Sequence, residues 1–81
     1  MVTEDIKNVI DLLSELSEDT SIPKNVREKT DKIRIFLKED VDVSIKVNKA
    51  LNDLDEIGND NNIEPYTRTQ IWNIVSLLEK I

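Results

Sequence analysis

The same apolar register occurs four times along the chain. Ile6, Val26, Val47 and Thr67 are equivalent at steps of 20, 21 and 20 residues. Behind them run Ile10, Thr30, Leu51 and Ile71, then Leu13, Ile33, Leu54 and Ile74, then Leu16, Phe36, Ile57 and Leu77. Inside each copy the spacing is three or four residues, the period of a helix with one buried face. Few folds accommodate such a pattern. Four amphipathic helices, each with an apolar stripe it cannot bury alone, must bury them against one another.

The intervening residues divide the chain in the same way. Thr3 is a good N-cap for the first helix, and Glu4 and Asp5 follow in the turn where the helix dipole favours negative charge. Glu18-Asp19-Thr20-Ser21 ends that helix, and Pro23 stands where the first turn of the second tolerates proline. The second ends near Glu39-Asp40. Asp42 or Ser44 is the expected cap of the third, and Gly58 its expected C-terminal stop. The fourth is entered through Pro65. Helices are therefore expected over roughly residues 3–18, 22–38, 42–58 and 64–81 of a single helical domain covering 1–81.

The connecting loops share a pattern too. Asp19-Thr20-Ser21-Ile22, Asp40-Val41-Asp42-Val43 and Asp60-Asn61-Asn62-Ile63 each place an aliphatic residue three positions after an Asp. Taken in pairs, the helices form a hairpin repeating at about 41 residues, within the range of HEAT-type repeats. Connections of a few residues make consecutive helices antiparallel neighbours. Two HEAT-like helical hairpins without dedicated caps are expected to close into a compact, up-and-down antiparallel four-helix bundle rather than an open solenoid. The fold class is all-α: one Gly and two Pro are too few for the turns of an all-β chain, and no segment alternates like a half-buried strand.

Charge is distributed by helix. Lys and Arg set against Asp and Glu give −5 for residues 3–20, +4 for 21–38, −4 for 39–58 and −1 for 59–81, a total of −6. A basic helix between two acidic ones suggests rim pairing between neighbours, each exposed pair contributing roughly 0–1 kcal/mol. The net negative charge argues against nucleic acid and anionic membranes as partners. The first residues carry neither a positive n-region nor an apolar h-region, and no run approaches the ~18 apolar residues of a membrane span, so a cytoplasmic location is expected.

Chemistry-bearing residues are scarce. With no His, no Cys and no Gly-rich loop, the chain lacks the usual general base, the thiol nucleophile and the phosphate cradle. Carboxylate pairs such as Glu15 with Glu18 and Asp53 with Glu56 read as solvated charges on helix faces. Neither an enzyme nor a cofactor nor a small-molecule substrate is expected. The oxygen-rich loop Asn59-Asp60-Asn61-Asn62-Ile63-Glu64 lacks the length, the central Gly and the bidentate Glu of a calcium hand, and reads as caps and turns.

Two surfaces stand out. Lys24, Arg27, Arg34 and Lys38 form a basic stripe on the second helix, open either to phosphates or an acidic partner, or to the acidic helices beside it. On the fourth helix Trp72 projects about 140° from the core direction at 100° per residue, on the side of Arg68, Val75 and Glu79. Ile35 and Ile45 lie off the core face in the same way. Trp and Arg are the residue types that most often anchor interfaces, so Arg68, Trp72, Val75 and Glu79 are a candidate surface for a protein partner or a second copy. The other reading is that Trp72 folds back over a helix edge or lies under the polar loop.

The block Thr67-Arg68-Thr69-Gln70-Ile71-Trp72-Asn73-Ile74-Val75-Ser76, with Glu18-Asp19-Thr20 and Ile22-Pro23-Lys24-Asn25-Val26-Arg27 upstream, resembles the small archaeal proteins of an uncharacterised family, UPF0147, along nearly the whole chain. The resemblance implies a compact helical bundle of archaeal origin and no activity, cofactor or catalytic residue. One departure is visible. Glu64-Pro65 stands where a proline directly after the Ile is expected, as in Ile22-Pro23, which would shift that turn by one residue. The sequence thus points to a non-enzymatic interaction or self-association module. An RNA-associated accessory protein using the basic helix is the alternative, and a carboxylate and metal enzyme the third reading.

Overall fold

Four amphipathic stripes do close on one another. A computed structural model describes residues 2–81, with side chains from residue 4 onward. It contains helices α1 (Val2–Glu18), α2 (Lys24–Leu37), α3 (Val43–Gly58) and α4 (Pro65–Glu79), and no strand among the described residues. Packing runs round a ring, α1 on α2, α2 on α3, α3 on α4, and α4 back on α1. The closing α1–α4 contact makes this a four-helix bundle rather than an open array. Its extents of 32 × 19 × 17 Å match helices of about 21–26 Å laid side by side with their loops.

Burial follows the 41-residue repeat more closely than the 20-residue one. Ile6, Val9, Leu13 and Leu16 of α1 are buried, and so are Val47, Ala50, Leu54 and Ile57, their counterparts in α3. Val26, Thr30, Ile33 and Leu37 of α2 correspond in the same way to Thr67, Ile71, Ile74 and Leu78 of α4. Two expected layers change. Ile10 and Leu51 in the second and Phe36 and Leu77 in the fourth are only partly buried, and Val9, Ala50, Leu37 and Leu78 take the core positions. Odd helices end their stripe on an i+3 step and even helices on an i+4 step, both compatible with 3.6 residues per turn. Thr30, fully enclosed, donates its hydroxyl to the Arg27 carbonyl at 2.8 Å, so its polar atom is satisfied.

The loops sharpen the same distinction. In the first and third loops the Asp carboxylate accepts a backbone N–H two residues on, from Ser21 to Asp19 and from Asn62 to Asp60. The following Ile22 and Ile63 are buried, each donating its N–H to the carbonyl of that Asp. The middle loop differs. Asp42, not Asp40, accepts from the Ser44 N–H and caps α3, while Val43 stays exposed. Nor does the Glu64-Pro65 departure shift the third turn. Pro23 and Glu64 are both N-cap residues, so proline moves from the cap in α2 to the first helical position in α4.

Three more expectations change. The cap proposed at Thr3 rests on a side chain outside the described ones, and α1 already includes that residue. Gly58 is the last residue of α3 and has no positive φ, so it is not a left-handed stop. The ion pairs among the described residues, Lys24–Glu28, Arg34–Asp31 and Lys49–Asp53, all lie within single helices rather than across rims. Residues three or four apart on a helix are already neighbours, so such pairs form without help from a second helix. Between α2 and α3 the Lys49 ammonium instead sits 5.7 Å over the Phe36 ring.

Candidate partner-binding face on helices α3 and α4

The chain has one Gly and one Trp, and the fold brings them together. A methyl group built on Gly58 would lie 3.1 Å from two ring carbons of Trp72. Any side chain there would press on the indole, so α3 ends on the residue that lets the ring lie against its backbone. Arg68, one turn before Trp72, completes the junction. Its Nε donates to the Gly58 carbonyl and its Nη2 to the Asp60 carbonyl, both at 2.9 Å. These carbonyls stand at the C-terminal end of α3, where backbone acceptors have no helical partner and the dipole favours a cation.

Arg68 therefore has a role within the fold that sequence reasoning did not assign to it, and Trp72 has one that it gave only as a second reading. Of the two readings of Trp72, folding back over a helix edge describes how its inner side is used. The outer side remains open, and the residue is 38% exposed. Val75, one turn further along, packs against the core from a half-buried position, and Glu79 is exposed. Beside them a shallow groove of about 290 Å³ runs between α3 and α4, floored by Leu51 and Val75 and rimmed by Asn48, Asn52, Asp55 and Glu79. Neither carboxylate of that rim is in an ion pair among the described residues.

Among the described residues the basic stripe makes no ion pair with the acidic helices beside it. Arg34 is held by Asp31 of its own helix, Lys24 lies 4.0 Å from Glu28, and Arg27 donates Nε to the Ile22 carbonyl at 3.0 Å. Lys38 is exposed at the C-cap of α2. Arg27 and Arg68 are equivalent in the 41-residue repeat and both brace a loop carbonyl, the first with one bond and the second with two. Arg27 is thus partly structural and Arg34 is paired within its helix, while Lys24 and Lys38 stay exposed.

Two carboxylates are electrostatically distinctive. The Ser21 hydroxyl, helped by the Ser21 N–H, holds the Asp19 carboxyl below the usual carboxylate range, and Ser44 does the same for Asp42. Both are turn devices, since each receives hydrogen bonds that favour the ionised form. The Asp60 carboxylate is likewise engaged by the Asn62 N–H within the oxygen-rich loop. Among the described residues no three His, Cys, Asp or Glu side chains gather as a metal site, and no helix is long and apolar enough to cross a membrane.

The geometry defines a small closed helical bundle with a braced, half-exposed aromatic face. The chain belongs to the Uncharacterised protein family (UPF0147), whose model matches residues 1–81. A UPF0147 protein of Methanocaldococcus jannaschii is 42% identical over 79 residues, covering 96% of this chain and 85% of the relative. One from Archaeoglobus fulgidus is 32% identical, covering 100% and 93%. Two solved structures superpose with a TM-score of 0.91 each. The first, of a protein of unknown function, is 39% identical and covers 98% of this chain and 91% of its own. The second, a UPF0147 protein from Thermoplasma acidophilum, is 34% identical and covers 98% and 95%.

Proposed function

We propose that this chain is a non-enzymatic protein-binding module that docks its partner on the outer face of α3 and α4. The observation that carries the reading is Trp72, packed on Gly58 on one side and 38% exposed on the other. An aromatic side chain immobilised before binding loses little conformational freedom on docking, and such residues dominate interface energetics. Val75 and Leu51 extend the apolar strip, while Asp55 and Glu79 at the rim favour a partner that presents cations. The absence of His and Cys from the sequence supports a binding rather than a catalytic role. The RNA reading has less behind it, because Arg27 and Arg34 of the basic stripe already bond within their own hairpin.

Trp72→Ala would loosen the α3–α4 junction as well as the face, so Val75→Glu and Glu79→Lys are the cleaner probes. With the helical circular-dichroism signal intact, both variants should lose a protein that wild type recovers from native extract. Recovery of the same proteins by all three would sink the proposed face.

A further inference from the structure

On the other side of α4, two residues and about 160° round the helix from Trp72, lies Gln70. Its Oε1 is the one side-chain nitrogen or oxygen among the described residues that is buried without a hydrogen-bond partner. Gln70 lines a cleft of about 240 Å³ between α1 and α4, the seam that closes the bundle. The α1 wall supplies Leu12, Leu16 and Glu15, two apolar side chains and a carboxylate that only accepts. On the α4 wall the Thr69 hydroxyl is already donated to the Pro65 carbonyl at 3.0 Å. The Gln70 and Asn73 amides each add N–H donors to this lining, so its unmatched acceptors are the Glu15 carboxylate and the orphaned Gln70 Oε1. A desolvated acceptor without a donor is costly, and native structures seldom keep one without a use.

We propose that this α1–α4 cleft binds an arginine side chain from a basic segment of a partner protein. A guanidinium carries five N–H donors and no acceptor, the complement of Gln70 Oε1 and the Glu15 carboxylate together. The methylene stem of an arginine lies along Leu12, Leu16 and Ile74, as long cationic side chains do on apolar surface. Tyr66, 70% exposed at the rim, offers its ring to the planar head. The −5 balance of residues 3–20 attracts such a segment at longer range. Oε1 is closed to solvent, so docking swings the Gln70 amide about its terminal torsion, which is soft. A lysine ammonium, compact and strongly hydrated, fits the pair of acceptors less well. This site is independent of the Trp72 face.

The test is a titration of ¹⁵N-labelled protein with nona-arginine and, separately, nona-lysine. Nona-arginine should move the Gln70 side-chain amide signals and bind at least about tenfold more tightly than nona-lysine, the scale of one charge-assisted hydrogen bond. Glu15→Gln and Gln70→Leu should each remove most of that preference, while Asp55→Asn, on the other face, leaves it intact. Gln70→Leu should melt no lower than wild type, because it removes an unpaired acceptor. Equal affinity for the two peptides overturns the proposal, as do shifts spread over the acidic surfaces of α1 and α3 or an unchanged preference in both variants. Shifts centred on Trp72 and Val75 would also overturn it, and would leave the α3–α4 reading standing.

Discussion

The two hairpins share a core and differ in how they finish their outer faces. At the position of Gly58 the first hairpin has Ser17, at Trp72 it has Asp31, and at Arg68 it keeps an arginine, Arg27. In the second hairpin the indole covers the end of α3 and Arg68 ties two carbonyls. In the first, Asp31 holds Arg34 of its own helix, and the corresponding space is an open, polar notch lined by Ser17, Lys24, Arg27, Glu28 and Asp31. The repeat therefore extends through the buried positions and stops at the surface. Interior positions must complement each other across the bundle, while outer positions are free to diverge, which is why the divergent pair is the place to look for function.

Leu13 and Leu54 are equivalent and both fully buried, so Leu13→Ala and Leu54→Ala should each cost roughly 2–5 kcal/mol in denaturant unfolding. A severalfold inequality between them would show that the hairpins do not share one cooperative core. A smaller but more telling difference is expected at the surface pair. Trp72→Ala should cost about 1–3 kcal/mol and Asp31→Ala less than about 0.5, because only the former empties a packed contact. Equal losses would mean that the indole lying on Gly58 contributes nothing to stability.

The two arginines come next. Arg68→Ala should lower stability by about 1–2 kcal/mol and Arg27→Ala by roughly half as much, following two carbonyl bonds against one. The midpoint shift in urea at constant slope measures both.

The smallest effect concerns the Asp19 and Asp42 turns, and its sign follows from linkage. Their carboxyls are held below the usual range in the folded state, so they stabilise the fold above the unfolded carboxylate pKa near 4. That contribution is lost as pH falls through their lower folded values. Carbon-detected carboxyl titrations should place both below the ordinary Asp range, and Ser21→Ala and Ser44→Ala should each raise the neighbouring value. A titration unmoved by loss of the hydroxyl would remove the serine from the account.

Much of the fold was legible because it is periodic. The register of Ile6, Val26, Val47 and Thr67 specified four helices and their inward faces, and the 41-residue spacing specified two equivalent hairpins. Short polar connections then left an antiparallel bundle as the compact solution. Details that depend on one residue at a helix end were harder. Phe36 and Leu37 are both apolar and differ by only 100° about the axis, so periodicity alone did not say which is enclosed. Asp40 and Asp42 both suit a turn, and the choice fell to Asp42 because its carboxylate meets the Ser44 N–H and hydroxyl.

Less of the candidate site was legible. Arg68, Trp72, Val75 and Glu79 were placed on one side of α4 by helical geometry, but that geometry gives only the direction in which a side chain leaves the backbone. Where a long side chain ends depends on what the neighbouring helix offers. Trp72 turns back because α3 presents a residue without a Cβ, and Arg68 because α3 ends in unpaired carbonyls. Gln70 gave no signal at all, since an amide one turn from Ile74 looks like any surface glutamine until α1 closes over it.

The number of helices, their buried stripes and the loop aspartates are set by neighbours within a few positions, and the net charge by composition, so all of them can be read along the chain. Other features came only with the packed bundle: Trp72 turns back onto α3, Gly58 serves for space rather than for a left-handed turn, and Gln70 is left without a donor. Those outcomes depend on which atoms of two different helices meet. That is fixed by close packing across the bundle and is invisible to any period along the chain.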